Sequence, residues 1–508
     1  MKRVLIRAAM LAAGLATSLA ASTARADEAA LRARSQPLLA ALDGARLGAC
    51  DGDLAANLAS VTGDPDFDRL AADQRETLLF AQFGCLQRAD DRPAIAATAR
   101  RLLGVATRPE VRSQAALALM IDASRRNAPA DMAANAQIVL ETTPERLAQA
   151  PPKLFDWGLS GLTADRAASA AFVSVLRRAP WTTEDAHQAV DNGWALQEAT
   201  FAAEAGDMTR AAAVLSRATQ LPTLMAVYQD RRFEPLWPEM AAAGRFDWRA
   251  LETTRLAGID ERIRREPRRL ELVVERIKAL NNLQRYDEAR AVGADYVARM
   301  KRKDAFDDLE DQKAWVLYAY ANVLSALGET APADGALAAG ADGQDKISQN
   351  VNRAALQLTL GHPAQALEAI EKVPPGYGTA YGRMVVASSK LCALAQLDRR
   401  PEAEAELAGL RSNWRDNPSA ALQGLACLEQ DDEAAAVLVR WLQDPTLRGG
   451  ALAWFRHGAP SPAAKAAEAM RPAFLRRQSA LKTRPEVQAA LAKVGRSLAV
   501  DLGGDYGA

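Results

Sequence analysis

Histidine is scarce in this chain: the 508 residues contain three, His187, His362 and His457. None stands in an HExxH motif or four residues from another, which removes the usual zinc-hydrolase helix. The four cysteines include no CxxC pair for zinc or thiol exchange. No GxxxxGK[ST] loop is present to cradle a phosphate, and no GxGxxG follows a strand. Gly158-Leu159-Ser160-Gly161 departs from a nucleophile elbow in its glycine spacing and has no strand before it. Valine, isoleucine and threonine are sparse and do not alternate, so no strand is expected. Net charge is also lacking, with 63 basic against 63 acidic side chains. That balance provides no electrostatic case for nucleic acid or an anionic membrane as the main partner. These absences predict no enzyme, no catalytic residues, no bound cofactor and no metal centre.

One acidic run invites a metal reading. Asp64, Asp66 and Asp68 alternate as calcium ligands do, but Arg69 replaces the required glycine and Arg75 stands at the twelfth position. Glu76 comes one residue late. Acidic capping of a helix start is the expected role. The arginine clusters at Arg262, Arg264, Arg265, Arg268 and Arg269, and at Arg471, Arg476, Arg477, Lys482 and Arg484, are expected to be solvated faces.

What is present begins with the N-terminus. Lys2, Arg3 and Arg7 precede an apolar run from Ala8 to Ala21, and Ala24-Arg25-Ala26 forms a small-x-small site before Asp27. This is the layout of a secretory signal peptide over 1–26, cleaved after Ala26, and the run is too short to span a bilayer. It predicts export to a periplasm, with no transmembrane segment in the mature chain. Removing 26 residues from 508 leaves 482, too many for one compact core and suited to an array of units. Ala, Leu, Arg, Glu and Gln dominate, and these residues lose little entropy in a helix.

An oxidising compartment allows the cysteines to pair. Cys50 and Cys85 are 35 residues apart, as are Cys392 and Cys427. Equivalent positions on packed helices lie about 8–10 Å apart, beyond the reach of about 7 Å for a bridge. Only cysteines near helix ends can then close. Cys50–Cys85 is the better candidate, and buried free thiols are the alternative for both pairs.

Internal repetition is the strongest signal. Trp194 to Pro222 contains a helix carrying Ala199, a turn at Gly206-Asp207, and a second helix with Ala211, Leu215 and Ala218 that Pro222 stops. The pattern returns at Leu283, Tyr286, Glu288 and Ala289, then at Leu327-Gly328 with Ala333 and Leu337. It recurs at Leu360-Gly361-His362-Pro363 with Ala366 and Ile370, and at Leu397 with Pro401, Ala403 and Leu407 up to Pro418. A last copy runs through Gln430, Glu433, Ala434 and Leu438 to Pro445. Successive second-helix alanines 289, 333, 366 and 403 are 44, 33 and 37 residues apart, a scatter that implies insertions.

These units resemble the tetratricopeptide repeat family in a degenerate form. The resemblance implies an all-α solenoid, a right-handed superhelix of antiparallel helix hairpins. Eroded hairpins are expected over 27–190 and the repeat array over 191–445. Capping helices near Pro462–Arg477 and Pro485–Ala499, with a flexible tail from Gly503, are expected over 446–508. Within the array, Phe233 to Trp248 is an interruption rich in aromatic residues and proline, expected to plug the join between two halves, with a partner-binding surface patch through Trp237 and Trp248 as the alternative.

The resemblance also implies a role. A superhelical groove takes a peptide or another protein, so an envelope scaffold or adaptor is expected, with self-association as a further outcome. The groove-facing side chains expected to bind the partner are Lys313, Tyr320, Asn350, Asn352 and Arg353. The alternatives are a glycan-binding or glycan-processing envelope protein, with Trp237 and Trp248 stacking sugars, or a component of an export machine. Lytic transglycosylases with helical superhelices centre their catalysis on a Glu-Ser dipeptide, which this sequence does not contain.

Overall fold

The computed structural model describes residues 29–42, 50, 52–162, 165–302, 305–342, 346–376, 378–466 and 472–506. The proposed leader over 1–26 lies outside them. The chain forms two compact units, Met1–Phe201 and Ala202–Ala508, and the division falls within one helix.

Unit 1 is a succession of helices: α1 (29–42), α2 (Gly52–Thr62), α3 (Ala72–Ala89), α4 (Arg92–Val105), α5 (Pro109–Arg125) and α6 (Pro129–Thr142). Then follow α7 (Pro144–Leu147), α8 (Pro152–Gly161), α9 (Arg166–Arg178), α10 (Glu184–Gln188) and, after a π-helical turn at Ala189–Gly193, α11 (Trp194–Glu204). Neighbours in sequence pack on one another, with α3 on α4, α4 on α5 and α5 on α6. Phe155, Phe172, Trp181 and Trp194 form a buried aromatic centre.

Unit 2 opens with α12 (Met208–Leu215), α13 (Leu221–Gln229), a 3₁₀ turn at Arg231–Leu236, α14 (Trp237–Ala242) and α15 (Trp248–Arg265). Four hairpins follow: α16 (Leu270–Asn282) with α17 (Tyr286–Arg299), α18 (Leu309–Leu327) with α19 (Thr330–Ala341), α20 (Lys346–Thr359) with α21 (Pro363–Glu371), and α22 (Ala380–Gln396) with α23 (Arg400–Ser412). A fifth pairs α24 (Pro418–Cys427) with α25 (Asp431–Gln443). Each first helix touches the next first helix, whereas the second helices make no comparable contact with each other among the described residues. The first helices therefore form the inner face of this array, and the protein is an all-α solenoid.

One turn recurs throughout. Asp90, Asn127, Gly206, Gln284, Gly328, Gly361, Asp398 and Glu429 all have left-handed backbone, with φ between 50° and 84°. In each case the next residue donates its N–H to the carbonyl five residues back, at 2.8–3.2 Å, as Arg399 does to Leu394. This is the Schellman ending, which satisfies carbonyls that the helix leaves open. Five residues after the turn residue come Ala211, Ala289, Ala333, Ala366, Ala403 and Ala434, none more than 1% exposed. A methyl group at that position lets the two helices of a hairpin cross closely.

The prolines differ from expectation. Pro222 and Pro418, read as stops, stand in the first turn of α13 and α24. An N–H is not required there, and the fixed φ of proline suits a helix start.

The C-terminal part of unit 2 departs further. After α26 (Arg448–Trp454) come strand β1 (Arg456–His457), α27 (Pro462–Ala466), α28 (Ala473–Leu481), α29 (Pro485–Val494) and strand β2 (Leu498–Ala499). The strands pair in parallel, a small exception to an expectation of no strands. The helix expected up to Ala499 ends at Val494 because Gly495 passes into extended backbone. The tail expected to be flexible from Gly503 forms a 3₁₀ turn at Gly504–Tyr506 packed on α16 and α18. These residues do more than cap α25. They run back along the first helices, with α28 on α24, α27 on α18 and the last turn on α16.

Both cysteine pairs are bridged. Cys50–Cys85 has its Cα atoms 5.4 Å apart and Cys392–Cys427 has them 5.3 Å apart. The spacing expected for packed helices fails here because each bridge lies near helix ends. Cys427 is the last residue of α24, and Cys392 lies one turn from the end of α22.

Candidate functional site

The inner face of unit 2 starts from a buried acid. Glu252 on α15 is fully buried, and its two oxygens accept from Arg255 at 2.7 and 2.9 Å. Asn282 Nδ2 also donates to Glu252, at 2.9 Å, which ties the end of α16 to α15. Arg255 reaches Glu275 on α16 at 2.9 Å as well. Burial alone would lower its pKa, but Glu252 and Glu275 outweigh that and raise it. Both Glu252 oxygens are thus engaged, by Arg255 and Asn282.

Asn282 also marks where the C-terminal segment docks. Its carbonyl accepts from Gly503 N–H at 2.8 Å. Arg249 on α15 holds Asp501 twice, through the carboxylate at 3.0 Å and the carbonyl at 2.5 Å. Farther along, Gln229 at the end of α13 donates to Leu452 O at 2.7 Å and accepts from Arg456 Nε at 2.7 Å. Arg496 N–H donates to Gln229 O at 3.0 Å.

The aromatic segment is closed by the same return. The Arg496 guanidinium lies 3.5 Å from the ring centre of Tyr228 and 3.6 Å from that of Trp237. Its Nε donates to Tyr228 O at 2.8 Å. Burial between the rings pushes the Arg496 pKa below its ordinary value. Trp237 Nε1 bonds Val227 O at 2.8 Å, and Trp248 is buried against Tyr228 and Phe246. Both tryptophans thus take part in packing within unit 2: Trp248 is buried, and the half-buried Trp237 carries Arg496 over its ring.

The five expected groove residues divide sharply. Arg353 makes a bidentate pair with Asp334 at 2.6 and 2.8 Å, and Gln357 joins Asp334 at 2.8 Å. That network fastens α20 to α19 and holds the Asp334 carboxyl below the usual range. Asn350 is buried and bonds Lys346 O one turn back at 2.8 Å. The Tyr320 ring fills the space over Gly293, where a Cβ would meet it at 2.2 Å. Burial raises the Tyr320 pKa, with Glu329 adding to the shift. Lys313 is exposed and Asn352 half-buried, and both point to no partner among the described residues. Sequence reasoning missed Arg249, Asn282 and Gln229, whose partners are far away in the chain.

The remaining candidates are internally paired. Asp64 faces Arg34, Asp66 lies 3.1 Å from Arg69, and Asp68 lies 3.3 Å from Arg75. Three guanidiniums therefore stand where a cation would have to enter. In the arginine clusters, Arg265 pairs with Glu261, Arg268 with Asp307, Arg477 with Asp431 and Arg484 with Asp432. No helix among the described residues is long and apolar enough to cross a membrane.

No family model matches the chain, and no curated protein matches it. Among solved structures, the chain is similar to one in the crystal structure of the APC/C hetero-tetramer Cut9-Hcn1, at 11% identity. The match covers 87% of this chain and 92% of that one, with a TM-score of 0.29. A likeness at that score carries no argument, so the solenoid assignment rests on the order and contacts of the helices themselves.

Proposed function

We propose that the chain is a protein-interaction scaffold of the cell envelope, delivered by its N-terminal leader and binding a protein partner through first-helix faces. The observation that carries this reading is the repeated hairpin, which aligns α16, α18, α20, α22 and α24 along one inner face. Where the returning C-terminal segment leaves it uncovered, such a face offers a surface of fixed side chains. All four cysteines being bridged supports an oxidising compartment. The glycan alternative is weakened, since Trp248 is buried and the half-buried Trp237 is stacked on Arg496.

Lys313 and Asn352 are the residues we assign to the partner, because their side chains make no hydrogen bond or ion pair among the described residues. The test is crosslinking of a tagged chain in cells, followed by capture and mass spectrometry of the envelope fraction. A dominant envelope protein is expected, with a yield that falls at least about fivefold in the Lys313→Ala/Asn352→Ala double variant. Self-crosslinks alone, or equal yield from the variant, would refute this assignment. The double variant is expected to keep its native helical circular dichroism, because neither side chain is buried.

A further inference from the structure

We propose that the edge of residues 455–459 and the end of α16 together form an extended-peptide site that the chain fills in cis with its own residues Leu498–Tyr506, a strap whose departure opens the site. The ligand class is a peptide of apolar residues at alternate positions followed by Gly-Gly. This deepens the scaffold reading and rests on it.

The bonding mode is that of a bound peptide. Leu498 and Val500 donate main-chain N–H groups to Phe455 O at 3.1 Å and His457 O at 2.9 Å. Ala459 N–H donates to Leu502 O at 2.6 Å, and Gly503 N–H donates to Asn282 O at 2.8 Å. Leu498, Val500 and Leu502 are buried while Ala499 and Asp501 are exposed. Successive residues of an extended chain point to opposite sides, so alternate side chains enter the face.

The two glycines set the selectivity. Gly504 has φ +58°, and a Cβ there would lie 2.3 Å from Asn282 Oδ1. A Cβ on Gly503 would lie 2.8 Å from the Tyr286 hydroxyl. Side chains at these positions are excluded by contact, and at Gly504 by backbone conformation as well.

The face also holds bonding capacity that the strap does not use. Asn281 Nδ2 would lie 3.0 Å from a Cβ on Gly504, and Asn281 Oδ1 is buried without a hydrogen-bond partner among the described residues. An unmet buried acceptor is costly, so the strap is an incomplete ligand and a peptide donating one more N–H competes with it. The boundary of the strap is Ser497, which is exposed, whereas Arg496 before it is clamped between two rings. Covalent attachment gives the strap a high effective concentration, which hides the site from free peptide in the intact chain.

The test uses a labelled synthetic peptide of residues 497–506 and the full chain carrying Gly504→Val, which expels the strap. The variant is expected to bind the peptide at least about tenfold more tightly than the native chain does. The same peptide carrying Gly504→Val is expected to bind neither. A variant with native helicity that binds no peptide, or a native chain that binds equally well, overturns the proposal. Should the variant lose its helicity, hydrogen exchange on the native chain decides. Amides of Val500, Leu502 and Gly503 are expected to exchange at least about tenfold faster than the core amides of α16. Equal rates would make the strap part of one cooperative block and overturn the proposal too. The peptide titration needs no envelope partner, so a failed capture experiment and a failed titration refute different statements.

Discussion

In unit 1, Arg178 reaches back 41 residues to Gln137, and Trp194 reaches 38 to Asp156. In unit 2, Gln229 reaches Leu452 across 223 residues, and Arg496 reaches Tyr228 across 268. Both units are built of hairpins, but their ends are held differently. Unit 1 has packing between helices close in sequence, reaching as far as α6 on α9, with a covalent tie, Cys50–Cys85, at its start. Unit 2 brings its last segment back to its first helices. A linear array is stabilised by a sum of repeat and neighbour terms and frays from its ends. Joining the two ends removes the free ends and makes distant helices unfold together. The comparison teaches that stacking alone does not set the cooperativity of a solenoid.

The largest expected effect lies in the covalent tie. Replacing both Cys50 and Cys85 by alanine is expected to cost unit 1 about 3–4 kcal/mol, from the loop that the bridge closes. Hydrogen exchange should speed up in α2 and α3 and stay unchanged in α22 and α24. Unchanged protection in α2 would mean that packing alone holds the start of unit 1.

Closure of unit 2 is broken by Gly495→Val. The new side chain would meet Leu452 Cδ2 at 2.4 Å and Gln229 O at 2.5 Å, so backbone must move. The expected cost is about 3 kcal/mol, with faster exchange in α13 and α16 as well as in α26 and α29. If only α26 and α29 respond, unit 2 is as linear as unit 1 and the contrast fails.

A smaller effect sharpens the comparison through pH. Glu76 on α3 accepts from Thr107 N–H at 2.7 Å and the Thr107 hydroxyl at 2.9 Å, and pairs with Arg108. Burial would raise its pKa, but these bonds outweigh it and hold the carboxyl below its ordinary value of 4.5. Its stabilisation is therefore complete above that value and is lost as pH falls through the lower folded-state value. Glu76→Gln is expected to cost about 2 kcal/mol at pH 7, and the gap between variant and native should close on acidification. Urea midpoints of both proteins between pH 7 and pH 3 measure this. A gap independent of pH would show that the shape of Glu76 matters and its charge does not.

The hairpins were legible because helix crossing demands a small residue at a fixed offset. Ala289, Ala333, Ala366 and Ala403 reveal the period even where spacing varies. The turn itself was disguised. Gln284, Asp398 and Glu429 take the left-handed conformation that favours glycine, so the expected Leu-Gly signature is missing there. The groove residues were half legible. All five lie on the first helices α18 and α20, but Arg353, Asn350 and Tyr320 serve packing there, which no sequence feature separates from Lys313 and Asn352. Asp334, which decides the role of Arg353, lies 19 residues away on another helix.

From sequence alone came the all-helical class, the repeated hairpin and the pairs of cysteines 35 residues apart. Each depends on local rules: helix propensity, the small residue at a crossing, and the reach of one repeat to the next. The tertiary structure alone decided that both bridges close, that Trp237 and Trp248 pack around Tyr228, and that Leu498–Leu502 pairs with residues 455–459 while Gly504–Tyr506 packs on α16. Those outcomes depend on where helix ends converge and on contacts across more than 200 residues. Over such separations, pairing is set by the summed geometry of every intervening turn, which no local pattern encodes.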